Sequence, residues 1–165
     1  MRNELVLITG GTGSGKSYLA KELIESVVAS SEFLGSSVVI ADLKMSKFTD
    51  KEQLPGNTQI VRSVDEAFDV IEKHSKVNKP LVVCIGEVDM ILQNPHRFLN
   101  MLTLLCLREQ PTFVVYIGSR FSADTFPQSI IKVATDVYVT RYPEVTVKAG
   151  AKNFDNVEKL RYAEA

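Results

Sequence analysis

The sequence has few cysteines and no spacing that marks a disulfide framework or a metal site. Only Cys84 and Cys106 occur in 165 residues, in apolar stretches and without C-x-x-C spacing. Isolated cysteines of this kind are usually buried, reduced side chains that pack as small hydrophobic groups. The two histidines, His74 and His96, have no partner pattern typical of metal ligands. We therefore expect structural thiols and surface or packing histidines.

Long hydrophobic runs are also missing. No stretch approaches the roughly 18 consecutive apolar residues of a membrane-spanning helix. The N-terminus lacks the apolar core and the small-residue cleavage site of a signal peptide. These absences predict a protein without a membrane span that works in the cytoplasm.

Charge of one sign is not in excess, because 19 Lys and Arg face 20 Asp and Glu. This balance neither supports nor excludes nucleic-acid binding, which would need a local basic patch or repetition of the chain in an oligomer. A chain of 165 residues that is 45% apolar can form one substantial core. We predict one domain over residues 1–150 and a polar C-terminal tail over residues 151–165.

Apolar, β-branched runs alternate along the chain with segments of helical periodicity. Parallel strands need crossover connections, so this alternation predicts an α/β fold with a central, mainly parallel sheet. The predicted strands cover residues 4–9, 37–42, 58–61, 81–85, 113–117 and 136–140, and the predicted helices cover residues 16–29, 63–76 and 97–109.

The segment between the first predicted strand and the first predicted helix carries the most specific motif. Residues 10–17 match G-x-x-x-x-G-K-[ST] in the strand–loop–helix context that a phosphate loop requires. From average residue usage, an accidental match has about one chance in a hundred in a chain this long. Glycines let successive N–H groups face the phosphates, and the helix start adds its positive dipole end. The predicted ATP-binding residues are Gly10, Gly11, Thr12, Gly13, Ser14, Gly15, Lys16, Ser17 and Tyr18.

Two side chains of this motif have distinct predicted roles. Lys16 would reach the β and γ phosphates, where its charge assists catalysis. Ser17 would offer its hydroxyl to Mg²⁺, a hard cation that completes its octahedron with phosphate oxygens and water. The expected cofactors are ATP and Mg²⁺, and the expected fold is a three-layer P-loop NTPase of the RecA-like (ASCE) class.

The residues that follow the other strands are further candidates, because ligands of open parallel sheets bind at the carboxyl ends of the strands. Glu87 follows the fourth strand, where it would activate the attacking water and contribute to the magnesium site. The alternative interpretation of Glu87 is a glutamate without a catalytic role at the N-terminus of a helix, where the helix dipole favours a negative charge. Ser119 and Arg120 follow the fifth strand, where Ser119 could sense the γ phosphate. Arg141 follows the sixth strand and could reach a phosphate on a neighbouring subunit. For these last residues, plain surface roles remain open.

Taken in order, these segments resemble the FtsK/HerA superfamily of P-loop motors, and the resemblance covers most of the chain. The order of the segments is more telling than any single one. Residues 12–17 resemble the family's phosphate loop, residues 39–44 its I-D-P-K segment, residues 82–87 its strand ending in D-E, residues 116–120 its A-T-Q-R segment, and residues 130–141 its last core segment.

The sequence departs from the family pattern at three positions. Gly86 stands where an aspartate is expected, Ser119 replaces a glutamine, and Leu43 replaces a proline. Because Gly86 offers no metal-side carboxylate, the departures predict slow hydrolysis with little effect on nucleotide binding. Asp89, three residues on, is a candidate substitute for the missing acid.

The resemblance implies a task as well as a fold. It implies a homo-oligomeric ring, a pentamer or hexamer, that moves or packages double-stranded DNA, and the short chain is typical of a virus, phage or plasmid protein acting in a host cytoplasm. Lys44, Lys47 and Lys51 form a basic stretch that could face a DNA channel.

Three other classes of protein compete with a motor. A small-molecule kinase would use the same phosphate loop, but the polar stretch over residues 46–57 has no arginine for a lid. A regulatory GTP switch would need a guanine-specific N-K-x-D signature, which is missing because Asn78 and Lys79 are followed by Pro80 and Leu81. An ATP-binding accessory subunit with little hydrolysis remains an alternative because of Gly86.

Overall fold

The structure is a computed structural model, and it describes residues 3–10, 16–42, 57–86, 94–117, 135–141, 144–149 and 157–161. Eight strands form one sheet in the spatial order β3-β2-β4-β5-β1-β6-β7-β8. Neighbouring strands are parallel from β3 to β6, and β7 and β8 continue the sheet in antiparallel pairing. The strands are β1 (Asn3–Gly10), β2 (Ser37–Asp42), β3 (Thr58–Val61), β4 (Leu81–Gly86), β5 (Thr112–Ile117), β6 (Asp136–Arg141), β7 (Glu144–Ala149) and β8 (Val157–Arg161).

Among the described residues, three α-helices and one short 3₁₀ helix (Ser31–Phe33) accompany the sheet. The α-helices are α1 (Lys16–Val28), α2 (Val64–Ser75) and α3 (Pro95–Cys106). The predicted cap of α2 is confirmed, because the Ser63 hydroxyl accepts a hydrogen bond from the backbone N–H of Glu66 at 3.2 Å. None of the described helices combines the length and the apolar character needed to cross a bilayer.

Strand alternation sorts the core into two layers. Along each strand, successive side chains point to opposite faces of the sheet. On one face, α1 packs against even-numbered residues of β1, β2 and β4; on the other, α2 and α3 pack against odd-numbered residues of the same strands. The first cluster includes Val6, Ile8, Leu19, Ile24, Val38, Ile40, Val82 and Cys84. The second includes Leu5, Leu7, Phe68, Ile71, Val83, Ile85, Phe98 and Leu105.

This architecture confirms the predicted three-layer α/β fold, with every predicted strand and helix present. The bounds of α3 differ from the prediction of residues 97–109. The helix begins at Pro95 because the Asn94 side chain accepts a hydrogen bond from the Arg97 N–H at 3.1 Å, and Pro95 suits the first turn. It ends at Cys106, and the side chain of Arg108, two residues further on, donates hydrogen bonds to carbonyl oxygens outside the helix.

Strands β7 and β8 were not predicted. Strand β8 lies within the tail over residues 151–165, where it pairs with β7 from Glu144 to Lys148. The division of the chain into residues 1–150 and a tail remains a prediction.

Arg108 ties the amino-terminal edge of the sheet together. Its guanidinium donates to the carbonyl oxygens of Ser75 at 3.0 Å, Val77 at 2.7 Å and Lys79 at 2.6 Å, and to the Thr112 hydroxyl at 2.7 Å. These acceptors belong to the end of α2, the following turn and the start of β5. One side chain therefore satisfies backbone carbonyls that the end of α2 and its turn would otherwise leave open.

Candidate nucleotide-binding site

The carboxyl ends of four parallel strands align in register across the sheet. Ile8 pairs with Ile117, Ile117 with Gly86, and Gly86 with Asp42. The chain segments that follow β1, β5, β4 and β2 therefore leave the sheet at one edge. This edge is where parallel α/β sheets bind their ligands.

The phosphate-loop motif lies at the same edge. Strand β1 ends at Gly10 and helix α1 begins at Lys16, as the motif requires. The connection, residues 11–15, lies outside the described residues, so the roles of Gly11, Thr12, Gly13, Ser14 and Gly15 remain predictions. A five-residue connection keeps the start of α1 close to the end of β1, so the positive end of that helix lies at the carboxyl edge.

Lys16 is buried, with only 4% of its surface exposed. Lysine is seldom buried to this degree, so the position stands out from ordinary surface lysines. A side chain already ordered in the protein loses less conformational entropy when an anion binds, and the low dielectric strengthens its attraction for phosphate. Tyr18, in the first turn of α1, is half-buried. The side chain of Ser17 lies outside the described part.

Gly86 ends β4 on the face covered by α1, because Val82 and Cys84 of the same strand pack in the α1 cluster. Its φ angle is not in the positive range. A Cβ atom added there would lie 3.6 Å from the Ala41 carbonyl oxygen and 3.9 Å from Ile117 Cδ1, which are ordinary contact distances. The backbone conformation therefore does not demand glycine, and a Cβ atom fits among the described residues.

The other predicted catalytic residues are located only through their strands. Glu87, Ser119 and Arg120 lie outside the described residues. Strand β5 lies between β1 and β4, so the segment that carries Ser119 leaves the sheet between the phosphate loop and Glu87.

Arg141 is the last residue of β6, on the other side of β1 from β5 and β4. Thr140 pairs with Gly10, so the backbone of Arg141 lies one residue beyond the end of β1. Its side chain is outside the described part. A contact with the chain's own nucleotide is therefore a geometric alternative to the predicted action in trans, a possibility that sequence reasoning missed because it needs the strand order.

Two described side chains with shifted pKa values, Cys106 and His74, lie near the amino-terminal edge of the sheet. Both cysteines are free thiols, and burial raises the pKa of Cys106. Burial, followed by the charges of Lys73, Arg108 and Lys79, lowers the pKa of His74. In the described part of the chain, no three His, Cys, Asp or Glu side chains cluster as a metal site would require.

Solved structures share this fold over the whole chain. The genome packaging NTPase B204 from Sulfolobus turreted icosahedral virus 2, in complex with sulfate, matches with a TM-score of 0.68 and 14% identity over 100% of both chains. EccC of Thermomonospora curvata (ATPases 2 and 3) matches with a TM-score of 0.72 and 10% identity over 98% of this chain and 37% of EccC. The N-terminal domain of zonular occludens toxin from Neisseria meningitidis matches with a TM-score of 0.56 and 14% identity over 100% of this chain and 96% of that domain.

Sequence comparison identifies the family to which the chain belongs. No curated protein sequence matches the chain significantly. The family model "ATPase family associated with various cellular activities (AAA)" matches residues 6–140, which include most of β1, the phosphate loop and the strands β2 to β5. The predicted P-loop ATPase is thereby confirmed, and the solved structures share its fold. The chain belongs to the AAA family of ATPases and is an ATP-hydrolysing P-loop enzyme.

Proposed function

We propose that this chain is a motor subunit of the FtsK/HerA type that assembles into a ring and moves or packages double-stranded DNA. The observation that carries the proposal is the end-to-end match with B204, a genome packaging NTPase, because 100% of each chain is covered.

Hydrolysis at the carboxyl edge follows from the residues assigned there. The N–H groups of residues 11–15 and the start of α1 hold the phosphates, and Lys16 offsets their negative charge. Glu87 accepts a proton from water as the water oxygen attacks the γ phosphorus. The bond between the γ phosphorus and the bridging oxygen breaks, and ADP carries away that oxygen. Ser119 reports the loss of the γ phosphate, and Arg141 supplies charge from a neighbouring copy.

Magnesium fits this donor set in part. When bound, the ion would neutralise charge on the β and γ phosphates. The Ser17 hydroxyl and the phosphate oxygens are hard donors of the kind that Mg²⁺ prefers. Gly86 contributes no side-chain donor, although its backbone conformation does not demand glycine. We therefore propose a weakly held ion that depends on the nucleotide.

ATP turnover with and without double-stranded DNA tests the motor proposal. A motor predicts stimulation of about tenfold or more by double-stranded DNA, and the stimulation should fall steeply with salt because phosphate contacts release counterions. Single-stranded DNA of equal nucleotide content is the control. A kinase would instead transfer phosphate to an added nucleoside monophosphate. If hydrolysis is normal but DNA of any length leaves it unchanged, the motor proposal fails and the ATPase assignment stands.

A further inference from the structure

A rigid turn before β2 holds a leucine out in solvent on the α1 side of the sheet. Leu34 has φ −58° and ψ 127°, Gly35 has φ 74°, and the N–H of Ser36 donates to the Phe33 carbonyl at 3.0 Å. These values define a type II turn, whose third position favours glycine. Phe33 is buried in the α1 cluster, whereas Leu34 is 83% exposed. The hydrogen-bonded turn therefore holds Leu34 in solvent, next to Phe33, which is buried in the core.

A cavity of about 220 Å³ opens beside this turn. The largely buried Phe33 and Phe113 line it together with Glu4 and Glu32. Such a lining suits a lysine, because the aliphatic stem packs against apolar side chains and the ammonium group reaches a carboxylate.

The opposite face of the sheet carries exposed leucines next to lysines. On the outer side of α3 and just after it, Leu104 is 53% exposed and Leu107 is 75% exposed. The turn that follows α2 is hydrogen-bonded to the segment that follows α3, because Arg108 donates to the carbonyl oxygens of Val77 and Lys79. Positive charge is concentrated there, since Lys73, Lys76 and Lys79 are all exposed.

The two surfaces carry charges of opposite sign, and both lie at the amino-terminal edge of the sheet. The N–H of Ser37 donates to the Pro80 carbonyl at 3.0 Å, and the N–H of Leu81 donates to the Pro111 carbonyl at 3.0 Å. The turns before β2, β4 and β5 therefore meet at the amino-terminal edge of the sheet. Leu34 lies on the α1 side of this edge, and Leu107 lies on the α3 side.

We propose that the turn at Leu34 and the cavity at Glu32 of one copy dock on the Leu104, Leu107 and Lys79 surface of the next copy. This inference rests on the proposed ring assembly and names its contact surfaces. The two surfaces are different, so the contact is head-to-tail, which generates a closed ring when the rotation between copies closes. The carboxyl edges of all copies, with their nucleotide sites, then lie on the same side of the ring.

Two single substitutions test the contact by mass photometry with a non-hydrolysable ATP analogue. Leu34→Asp and Leu107→Asp should each leave the protein monomeric. Their equimolar mixture should form a species of two chains and nothing larger, because only one intact pair of surfaces remains. Glu22→Lys, an exposed change on α1, is the control and should keep the wild-type mass. Each monomeric variant should bind a fluorescent ATP analogue with wild-type affinity, which shows that it is folded.

A charge exchange gives a second test if an aspartate variant fails to fold. Glu32→Lys and Lys79→Glu should each weaken assembly by about tenfold, and the chain that carries both changes should recover most of the loss. Wild-type mass in both leucine variants, or a mixture that stays monomeric, would overturn the proposal, as would a wild-type protein that never assembles. Assembly of the wild-type protein together with wild-type mass in both leucine variants would overturn this contact alone, whereas a wild-type protein that never assembles would also overturn the proposed ring.

Discussion

Gly86 lies in register beside Asp42 at the carboxyl ends of β4 and β2. The FtsK/HerA pattern expects an aspartate at position 86, on the face of the sheet that α1 covers. The chain has instead a glycine of ordinary φ, and among the described residues the atom nearest to an added Cβ would be the Ala41 oxygen at 3.6 Å. The absence of the acid is therefore a chemical feature of this site and is not imposed by the backbone.

Restoring the acid should strengthen magnesium binding. Gly86→Asp should lower the Mg²⁺ concentration for half-maximal ATPase, and for half-maximal binding of a fluorescent ATP analogue, by about tenfold or less, the gain of one added carboxylate ligand. Gly86→Ala adds the Cβ without the acid and should change neither value.

Asp89→Asn tests the competing location of the metal-side acid. If that substitution alone removes the magnesium dependence, and Gly86→Asp changes nothing, Asp89 is the metal-side residue. The correspondence of residues 82–87 with the family's D-E strand would then be wrong.

Removing the buried lysine should remove tight ATP binding. Lys16→Ala deletes charge-assisted contacts with the β and γ phosphates, so the ATP dissociation constant should rise by about a hundredfold or more. Lys21→Ala, also on α1 but further from the loop, should bind normally. Equal affinity in the two variants, measured by calorimetry, would contradict the site.

Glu87→Gln should separate binding from chemistry. The amide keeps the size of the side chain but is a poor proton acceptor, so ATP binding should persist while turnover falls by about a hundredfold or more. Single-turnover hydrolysis is the measurement that isolates this step. Unchanged turnover would place the water activator elsewhere.

The position of Arg141 makes its mode of action testable by mixing. Arg141→Ala should bind ATP but not hydrolyse it in the assembly. Mixed assemblies of Lys16→Ala and Arg141→Ala chains contain interfaces at which an intact Arg141 meets a neighbour with an intact Lys16, so they should recover part of the activity. Mixed assemblies, confirmed by mass, that stay inactive would favour action within one chain, which the pairing of Thr140 with Gly10 also permits.

Arg108 should matter for stability and not for catalysis. Arg108→Lys loses most of a set of four hydrogen bonds to fixed acceptors and should lower the free energy of unfolding by about 2–4 kcal/mol. Arg97→Lys is the matched control. It alters ion pairs with Glu72 and Asp69 at the surface, where lysine can still pair, so urea unfolding should show a smaller loss. Equal losses in the two variants would contradict the role of Arg108.

The central sheet could be predicted because its strands are buried on both faces. Leu81–Gly86 and Thr112–Ile117 are buried at every position, so they read as continuous apolar runs. Strand β7 carries an alternation of Val145 and Val147 with polar residues, which is a weak sequence signal for a strand. Strand β8 has no such alternation, and its register is set by its pairing with β7.

The candidate site was predictable to the extent that its chemistry is local. Residues 10–17 form a contiguous motif, so their sequence alone indicated a phosphate loop. The closeness of Arg141 to β1 depends on which strands become neighbours, and the burial of Lys16 depends on how α1 packs. Neither property is encoded at a fixed spacing along the chain.

Displacement of a third strand from a DNA triplex is the decisive measurement of movement on DNA, because only movement along the duplex removes that strand. The wild-type protein should displace it with ATP and Mg²⁺, whereas neither Lys16→Ala with ATP nor the wild-type protein with a non-hydrolysable analogue should do so. Robust ATP hydrolysis in the presence of the duplex, with the third strand left in place, would contradict a DNA-moving motor.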